Sequence, residues 1–494
     1  MTLSAELFFL DPEFEGTLQS QLRQFVASSI LSKRFLPGEK LPSSRKLARH
    51  LGISRITVTL SYQELVADGY LATRVRSGFF VAENPPGTRI GMPRITAQNR
   101  VDWDVRLMRQ FSGVHRVAKT FNWQDYPYPF VYGQADPALF SHSNWRLCAH
   151  QALGIKEFDS LTSDYAEEDD PRLIDFIIRH TLPRRGIRAT RSEVLLTVGA
   201  QNALWMVVQM LLGPGRKAAY ENPGYPGLRE ILSRSGCGMC PVPVDSEGLD
   251  PEALPTGAQV VFTTPSHHAP TTATMPLERR HRLLEWASEH DFIVVEDDYE
   301  FEMSFLTRPT PALKSLDKDG RVIYIGSFSK SLFPGLRLGY LVAPEPLIRE
   351  ARALRFTVLR HPPGHMQRTT ANFLALGHYD ALIRRMKDAF QNRRTVMAEA
   401  LKAHGLDVAG AAGFGGSSFW MRAPKGVDTE TLALKLKHKG VLIEPGRPFF
   451  DGTPAPENYY RMAYSSITAD RIAKGVAIIS ETLKQAWQKP PGFA

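Results

Sequence analysis

The residues best suited to chemistry lie at Ser327-Phe328-Ser329-Lys330-Ser331-Leu332-Phe333-Pro334-Gly335-Leu336-Arg337. A lysine sits among hydroxyl side chains, and an arginine follows seven residues later. A lysine amine condenses with an aldehyde once burial or neighbouring charge lowers its pKa. The hydroxyls of Ser327 and Ser329 and the Arg337 guanidinium suit a phosphate carried by the same molecule. Just upstream, Val322-Ile323-Tyr324-Ile325 predicts a short buried strand that would deliver Lys330 from its end. A solvated serine–lysine loop has the same composition, so this stretch alone leaves both readings open.

A second stretch narrows the choice. Ile293-Val294-Val295-Glu296-Asp297-Asp298-Tyr299 predicts a β-branched strand ending in an acid, with a tyrosine two residues past Asp297. A protonated pyridine nitrogen needs a carboxylate, and a phenolate needs a donor. With both stretches in place, the chain from about residue 119 to its end resembles a fold type I aminotransferase that binds pyridoxal 5′-phosphate (PLP). The resemblance implies that Lys330 forms the internal aldimine, Asp297 pairs with the pyridine nitrogen and Tyr299 bonds the phenolate. Ser327, Ser329 and Arg337 would help hold the phosphate.

Other segments extend the resemblance. Val194–Val198 predicts a strand, and Gly199-Ala200-Gln201-Asn202 turns into a helix. Its N-terminal amides and dipole suit a phosphate, which assigns Ala200 and Gln201 to it. In Tyr220-Glu221-Asn222-Pro223-Gly224-Tyr225, the family's ring-stacking aromatic corresponds to Tyr225, with a core tyrosine as the alternative. Thr264-Pro265-Ser266-His267-His268 is similar to a Thr-Pro-Ser-His-Gln motif of MocR-type regulators. Here His268 replaces the Gln, and Thr272 stands where Gly is usual. The resemblance places His267 near the phenolate and lets His268 shape effector choice. Tyr132-Gly133-Gln134-Ala135-Asp136-Pro137-Ala138-Leu139-Phe140 resembles the stretch that opens such domains, with Ala135 in place of the usual proline. Near the end, Arg461 lies inside Tyr459-Tyr460-Arg461-Met462-Ala463 and needs an anionic partner. Aminotransferases bind a substrate carboxylate here. The resemblance therefore makes Arg461 an effector residue for a carboxylate or sulfonate, with a structural ion pair as the alternative. Helices are expected over Arg172–His180, Asp380–His404 and Thr429–Lys439, and residues from about 405 should form a smaller α+β region.

Composition sets outer bounds. The chain has 494 residues, 43% hydrophobic and 22% charged, which fits two or three globular domains. No apolar run is long enough for a transmembrane helix, and no basic, cleavable leader is visible. The three cysteines, Cys148, Cys237 and Cys240, suit a reducing cytoplasm better than a disulfide scaffold. The Cys237-Gly-Met-Cys240 spacing lacks the second pair a zinc site needs, so buried thiols near a strand, and no metal, are expected. Net charge is +9, and +6 of it falls in residues 1–118, which suggests a polyanionic partner for the N-terminal part.

That part has its own logic. Helical periodicity covers about 16–32, a second helix follows Pro42-Ser43-Ser44, and a third runs from about Arg55 to Asp68 behind an Ser54 N-cap. Ile56, Val58, Leu60, Leu65 and Val66 are its expected apolar contacts. Two short strands flank Arg74-Val75-Arg76-Ser77-Gly78. This segment resembles the winged helix of GntR-type bacterial regulators. The resemblance implies that the third helix enters the major groove and that Arg45, Ser54, Arg55, Thr57 and Tyr62 approach DNA, with Arg74 and Arg76 on the wing. Residues 83–118, broken by Asn84-Pro85-Pro86-Gly87, read as a linker.

The fold expected is therefore multidomain. An α+β winged helix-turn-helix (1–82) and a linker (83–118) precede an α/β PLP-dependent transferase of fold type I (119–494). In this order the two resemblances identify the chain as a member of the MocR/GabR subfamily. Membership implies a bacterial, cytoplasmic transcriptional regulator that binds double-stranded operator DNA and forms head-to-tail homodimers. A small amino compound, taurine or an ω-amino acid such as GABA, would be sensed through an external aldimine. A PLP-dependent aminotransferase with an accessory DNA-binding module, and a regulator of PLP synthesis sensing PLP itself, are the alternatives.

Overall fold

The computed structural model describes residues 2–74, 77–86, 101–109, 111–112, 120–134, 136–157, 162, 164, 167–306, 310–411, 413 and 415–487. The chain divides into two compact units, residues 1–110 and 111–494.

The first unit is built from α1 (Leu18–Leu31), α2 (Ser44–Leu51), α3 (Arg55–Ala67) and a hairpin of β1 (Leu71–Arg74) and β2 (Gly78–Val81). Hydroxyl side chains start each helix: Thr17 accepts from Ser20 N (3.1 Å), Ser43 from Lys46 N (3.3 Å) and Ser54 from Ile56 N (3.2 Å). Val58, Tyr62 and Leu65, spaced i, i+4, i+7, turn inward from α3 onto Leu22, Val26, Leu47 and Leu71. Two expectations for α3 fail. Ile56 and Leu60 are 70% and 42% exposed, so they lie off the core stripe. Tyr62 is fully buried, and its hydroxyl donates to Pro42 O (3.2 Å). It holds α3 to the segment before α2 and has no surface to offer DNA. Of the linker, a short helix at Trp103–Arg106 is described.

In the second unit β3 (Tyr128–Pro129) comes first. Eight strands then form one sheet: β4 (Val194–Thr197), β5 (Lys217–Asn222), β6 (Gly238–Asp245), β7 (Gly248–Leu249), β8 (Val260–Thr263), β9 (Ile293–Asp297), β10 (Val322–Ser327) and β11 (Gly339–Val342). Their order is β4-β11-β10-β9-β8-β5-β6-β7. The central run β10-β9-β8-β5-β6 is parallel, and β11 is antiparallel to both neighbours. Parallel strands are covered on both faces, which explains the unbroken apolar run of β10. Tyr324 faces one core with Phe373 and Tyr379; Ile323 and Ile325 face another with Leu204 and Ile348.

The long helix His378–Ala403 leads into the smaller region. There β12 (Asp407–Val408), β13 (Ser418–Arg422), β15 (Glu444–Pro445) and β16 (Tyr459–Ala463) form a sheet in the order β12-β13-β16-β15. The remaining strand, β14 (Val441–Leu442), pairs in parallel with β3. Ala463 N also donates to Phe130 O (3.1 Å), and Ser466 Oγ to Pro129 O and Val131 O (both 2.9 Å). Residues 128–131 are thus knitted into the C-terminal region, a join the sequence did not announce. The helix expected over Arg172–His180 is α-helical only at Pro171–Phe176 and loosens into a π turn at Ile177–Thr181. Cys148 is buried, but Cys237 and Cys240 are half-buried, which corrects the expectation for that pair.

Candidate functional site

The loops that follow the carboxyl ends of β4, β5, β8, β9 and β10 meet on one edge of the sheet, the place where open α/β sheets bind ligands. Parallel pairing sets Asp297 at the end of β9 beside Ile325, and two residues later β10 ends at Ser327. Lys330 follows in the adjoining turn.

Asp297 and Ser329 each carry a buried oxygen, Oδ1 and Oγ, with no hydrogen-bond partner among the described residues. Burial pushes the Asp297 carboxyl up to about 7, the Asp298 and Glu221 charges push the same way, and Lys330 opposes them. A buried acid of this kind calls for a cationic partner. A protonated ring nitrogen would supply one, and a phosphate oxygen would accept from Ser329 Oγ. The residues present therefore fit PLP.

The expected phosphate residues gather nearby. Gly199 adopts φ 78°, and Arg337 lies against it; a Cβ there would sit 3.0 Å from an Arg337 terminal nitrogen. Arg337 donates to Val198 O (3.1 Å), and the helix Ala200–Leu211 starts at the next turn. Tyr225 donates to Gln201 Oε1 (3.3 Å). Burial raises the Tyr225 pKa, Asp297 adds to the rise and Arg337 opposes it, so the three groups sense one another. At 39% exposed, Tyr225 is not the core tyrosine of the alternative reading. Ser327 Oγ accepts from Ser329 N (3.2 Å), which shapes the turn.

The opposite side is organised by Tyr132, the first residue of the motif that opens the domain, to which the sequence assigned no role of its own. Tyr132 lies with its ring centroid 4.2 Å from Lys330 Nζ and 3.9 Å from Arg461 Cζ. Its hydroxyl donates to Glu300 Oε2 (3.2 Å), and its amide donates to Glu444 Oε1 (3.3 Å). Gly133 follows with φ 70°, and a Cβ there would collide with Lys330 Nζ. Glu300 is a hub: His267 Nε2 lies 3.2 Å from Oε2, and Ser417 Oγ donates to Oε1 (2.5 Å). Burial would raise the Glu300 carboxyl, but the bonds from His267 and Ser417 and the Lys330 charge hold it below its ordinary value. His267 thus binds a carboxylate behind Tyr299, their rings 6.2 Å apart.

Arg461 has the anionic partner its burial demands: Nε donates to Glu444 Oε2 at 2.8 Å. The ion-pair alternative is realised at Nε. His268 is fully buried, with Nδ1 2.6 Å from Thr271 Oγ1 and Nε2 3.4 Å from Glu221. Burial lowers its pKa, and Glu221 opposes the fall. Thr272 adopts φ 61°, the conformation that explains the usual glycine at this point.

On α3 and α2, Arg55 and Arg45 are exposed and Thr57 is half-buried, while the Ser54 hydroxyl is spent on its cap. Arg55 Nε donates to Ser44 Oγ (3.4 Å). Arg74 stacks over Phe80 (4.6 Å) and lies 3.7 Å from Glu83. Arg76 and Ala135 lie outside the described residues.

Comparison with known proteins agrees with both halves. Residues 156–479 match the family model for aminotransferase class I and II, and residues 18–81 that for bacterial regulatory proteins of the gntR family. The second unit shares its fold with the kynurenine aminotransferase of Pyrococcus horikoshii (TM-score 0.69, 26% identity, 77% of this chain and 98% of that one). The fold and site thus define a helix-turn-helix module fused to an aminotransferase-like domain. The chain is 57% identical to the HTH-type transcriptional regulator TauR of Rhodobacter capsulatus, over 98% of this chain and 100% of that protein. It is 30% identical to the probable rhizopine catabolism regulatory protein MocR of Rhizobium meliloti, over 95% and 94% of the two chains. The chain belongs to the MocR-type regulators of the gntR family. It is an HTH-type transcriptional regulator with an aminotransferase-like domain.

Proposed function

We propose that this regulator binds PLP through Lys330 and senses a small compound bearing an amine and an anion. The observation that carries the reading is the pair of buried oxygens without a partner among the described residues, Asp297 Oδ1, which senses the Lys330 charge, and Ser329 Oγ, on the residue before Lys330. When bound, PLP supplies a carbon that amines attack. Asp297 would keep the ring nitrogen protonated, and Tyr299 would donate to the phenolate. Ser327, Ser329, Arg337 and the amides at Ala200 and Gln201 would hold the phosphate, with Tyr225 against the ring. The P. horikoshii aminotransferase, described in complex with PMP, supports the cofactor class.

The effector's amine would replace the Lys330 amine, and its carboxylate or sulfonate would engage the terminal N–H groups of Arg461. Glu444 would fix that guanidinium through Nε. Taurine and short ω-amino acids such as GABA have the required amine and anion. His268, held by Glu221 and Thr271, would shape the effector side of the pocket. On the DNA side, Arg45, Arg55, Thr57, Arg74 and Arg76 are the proposed contacts, in a winged-helix module of residues 1–82 joined by 83–118 to the effector domain. A head-to-tail homodimer is part of the proposal.

A second reading, catalytic transamination, is favoured by the complete set of Lys330, Asp297, Tyr299 and Arg461. An absorbance scan with PLP, repeated during amine titration, separates the two. A Lys330-dependent band that shifts with an amine and yields no keto acid marks a sensor. Sustained turnover with an amino donor and a keto acid marks an enzyme. With no band, the cofactor reading falls.

A further inference from the structure

Tyr132 touches both halves of the proposed effector's binding apparatus. Lys330, which would yield to the amine, and Arg461, which would hold the anion, both lie within cation–π reach of its ring. Two cations at one ring repel each other. Glu300, on the Tyr132 hydroxyl, and Glu444, on its amide and on Arg461 Nε, offset part of that repulsion. An anion on the terminal nitrogens of Arg461 would offset more, and would ease the seating of the Lys330 ammonium on the ring.

Resting on the proposed function, we infer that Tyr132 is a positioning residue that couples anion binding at Arg461 to release of Lys330. In that exchange the incoming group would first give up a proton, and its free amine would then make the bond to carbon that Lys330 gives up. Two protons pass to the departing lysine, so it leaves as an ammonium, and neither water nor electrons are exchanged. The lysine then rests where it stands here, beside Tyr132 and Glu300. Coupling of this kind is reciprocal: each event favours the other, even when the two groups arrive on separate molecules.

Tyr132 is also well placed to report the change. It follows β3, the first strand of the second unit, and β3 is held by β14, Ala463 and Ser466. Glu300 joins the Tyr132 hydroxyl to Ser417, the residue before β13. A shift of Tyr132 therefore acts on both the C-terminal sheet and the chain that arrives from the linker.

The test uses full-length protein loaded with PLP and two fragments, ethylamine (amine only) and ethanesulfonate (anion only). Displacement of Lys330 is read from the absorbance band, and the β3 amides from hydrogen exchange. In the wild type, saturating ethanesulfonate lowers the ethylamine midpoint by about fivefold or more. Tyr132→Phe keeps the ring and keeps most of the effect. Tyr132→Leu loses it while still binding PLP, and its β3 exchange no longer responds to the fragments. A wild type that binds both fragments independently overturns the inference, as does an effect that survives in Tyr132→Leu. A wild type with no PLP band at all overturns the proposed function instead.

Discussion

Lys330→Ala removes the one amine proposed to hold the cofactor. Its PLP mixture should lack the near-visible band of the wild type while the far-ultraviolet circular dichroism is unchanged. Asp297 gives a pH-dependent prediction. Its folded pKa of about 7 lies above the ordinary carboxylate value, so its contribution to stability is full below about pH 4 and lost as pH rises through 7. In cofactor-free protein, the stability difference between Asp297→Asn and wild type, read from urea unfolding, should therefore grow in the variant's favour from pH 5 to pH 8, by about 3 kcal/mol. With PLP the order should reverse, because only the carboxylate can pair with a ring cation. Arg461→Ala strands the buried Glu444 carboxylate and should cost about 3–5 kcal/mol. Adding Glu444→Gln should recover part of that stability without restoring any response to an anionic amine.

At the scale of elements, the third helix divides its labour by face. Arg55→Ala should weaken DNA binding across sequences and reduce the salt dependence by about one counterion, measured by anisotropy on a selected duplex. Tyr62→Ala should instead unfold the module, at a cost of about 3–5 kcal/mol, because the ring fills the core. The same contrast shows what the sequence could tell. The placements of Lys330 and the helix at Ala200 just past strands, and of Asp297 at the end of one, were legible because apolar runs mark those strands. Tyr62 misled because the spacing of α3 serves core and groove alike, and its hydroxyl partner, Pro42 O, is 20 residues away. Tyr132, Glu300 and Glu444 were illegible for a related reason. Tyr132 bonds across 168 and 312 residues, and nothing local to it announces either partner. Thr272 stood out as a departure at a glycine position, and its positive φ supplies the reason.

At the scale of the molecule, the two units have separate cores. The fragment 111–494 should bind PLP with an affinity close to that of the whole chain, checked by absorbance titration, and should bind no DNA. The connection between them enters the second unit at β3, whose partner β14 lies at residues 441–442. That pairing has a consequence for synthesis on the ribosome. The DNA-binding module can fold as soon as it emerges, whereas β3 must wait until nearly the whole chain has been made. A message cut short before residue 441 would therefore yield a product with an intact DNA-binding module, followed in the chain by a strand that lacks its partner.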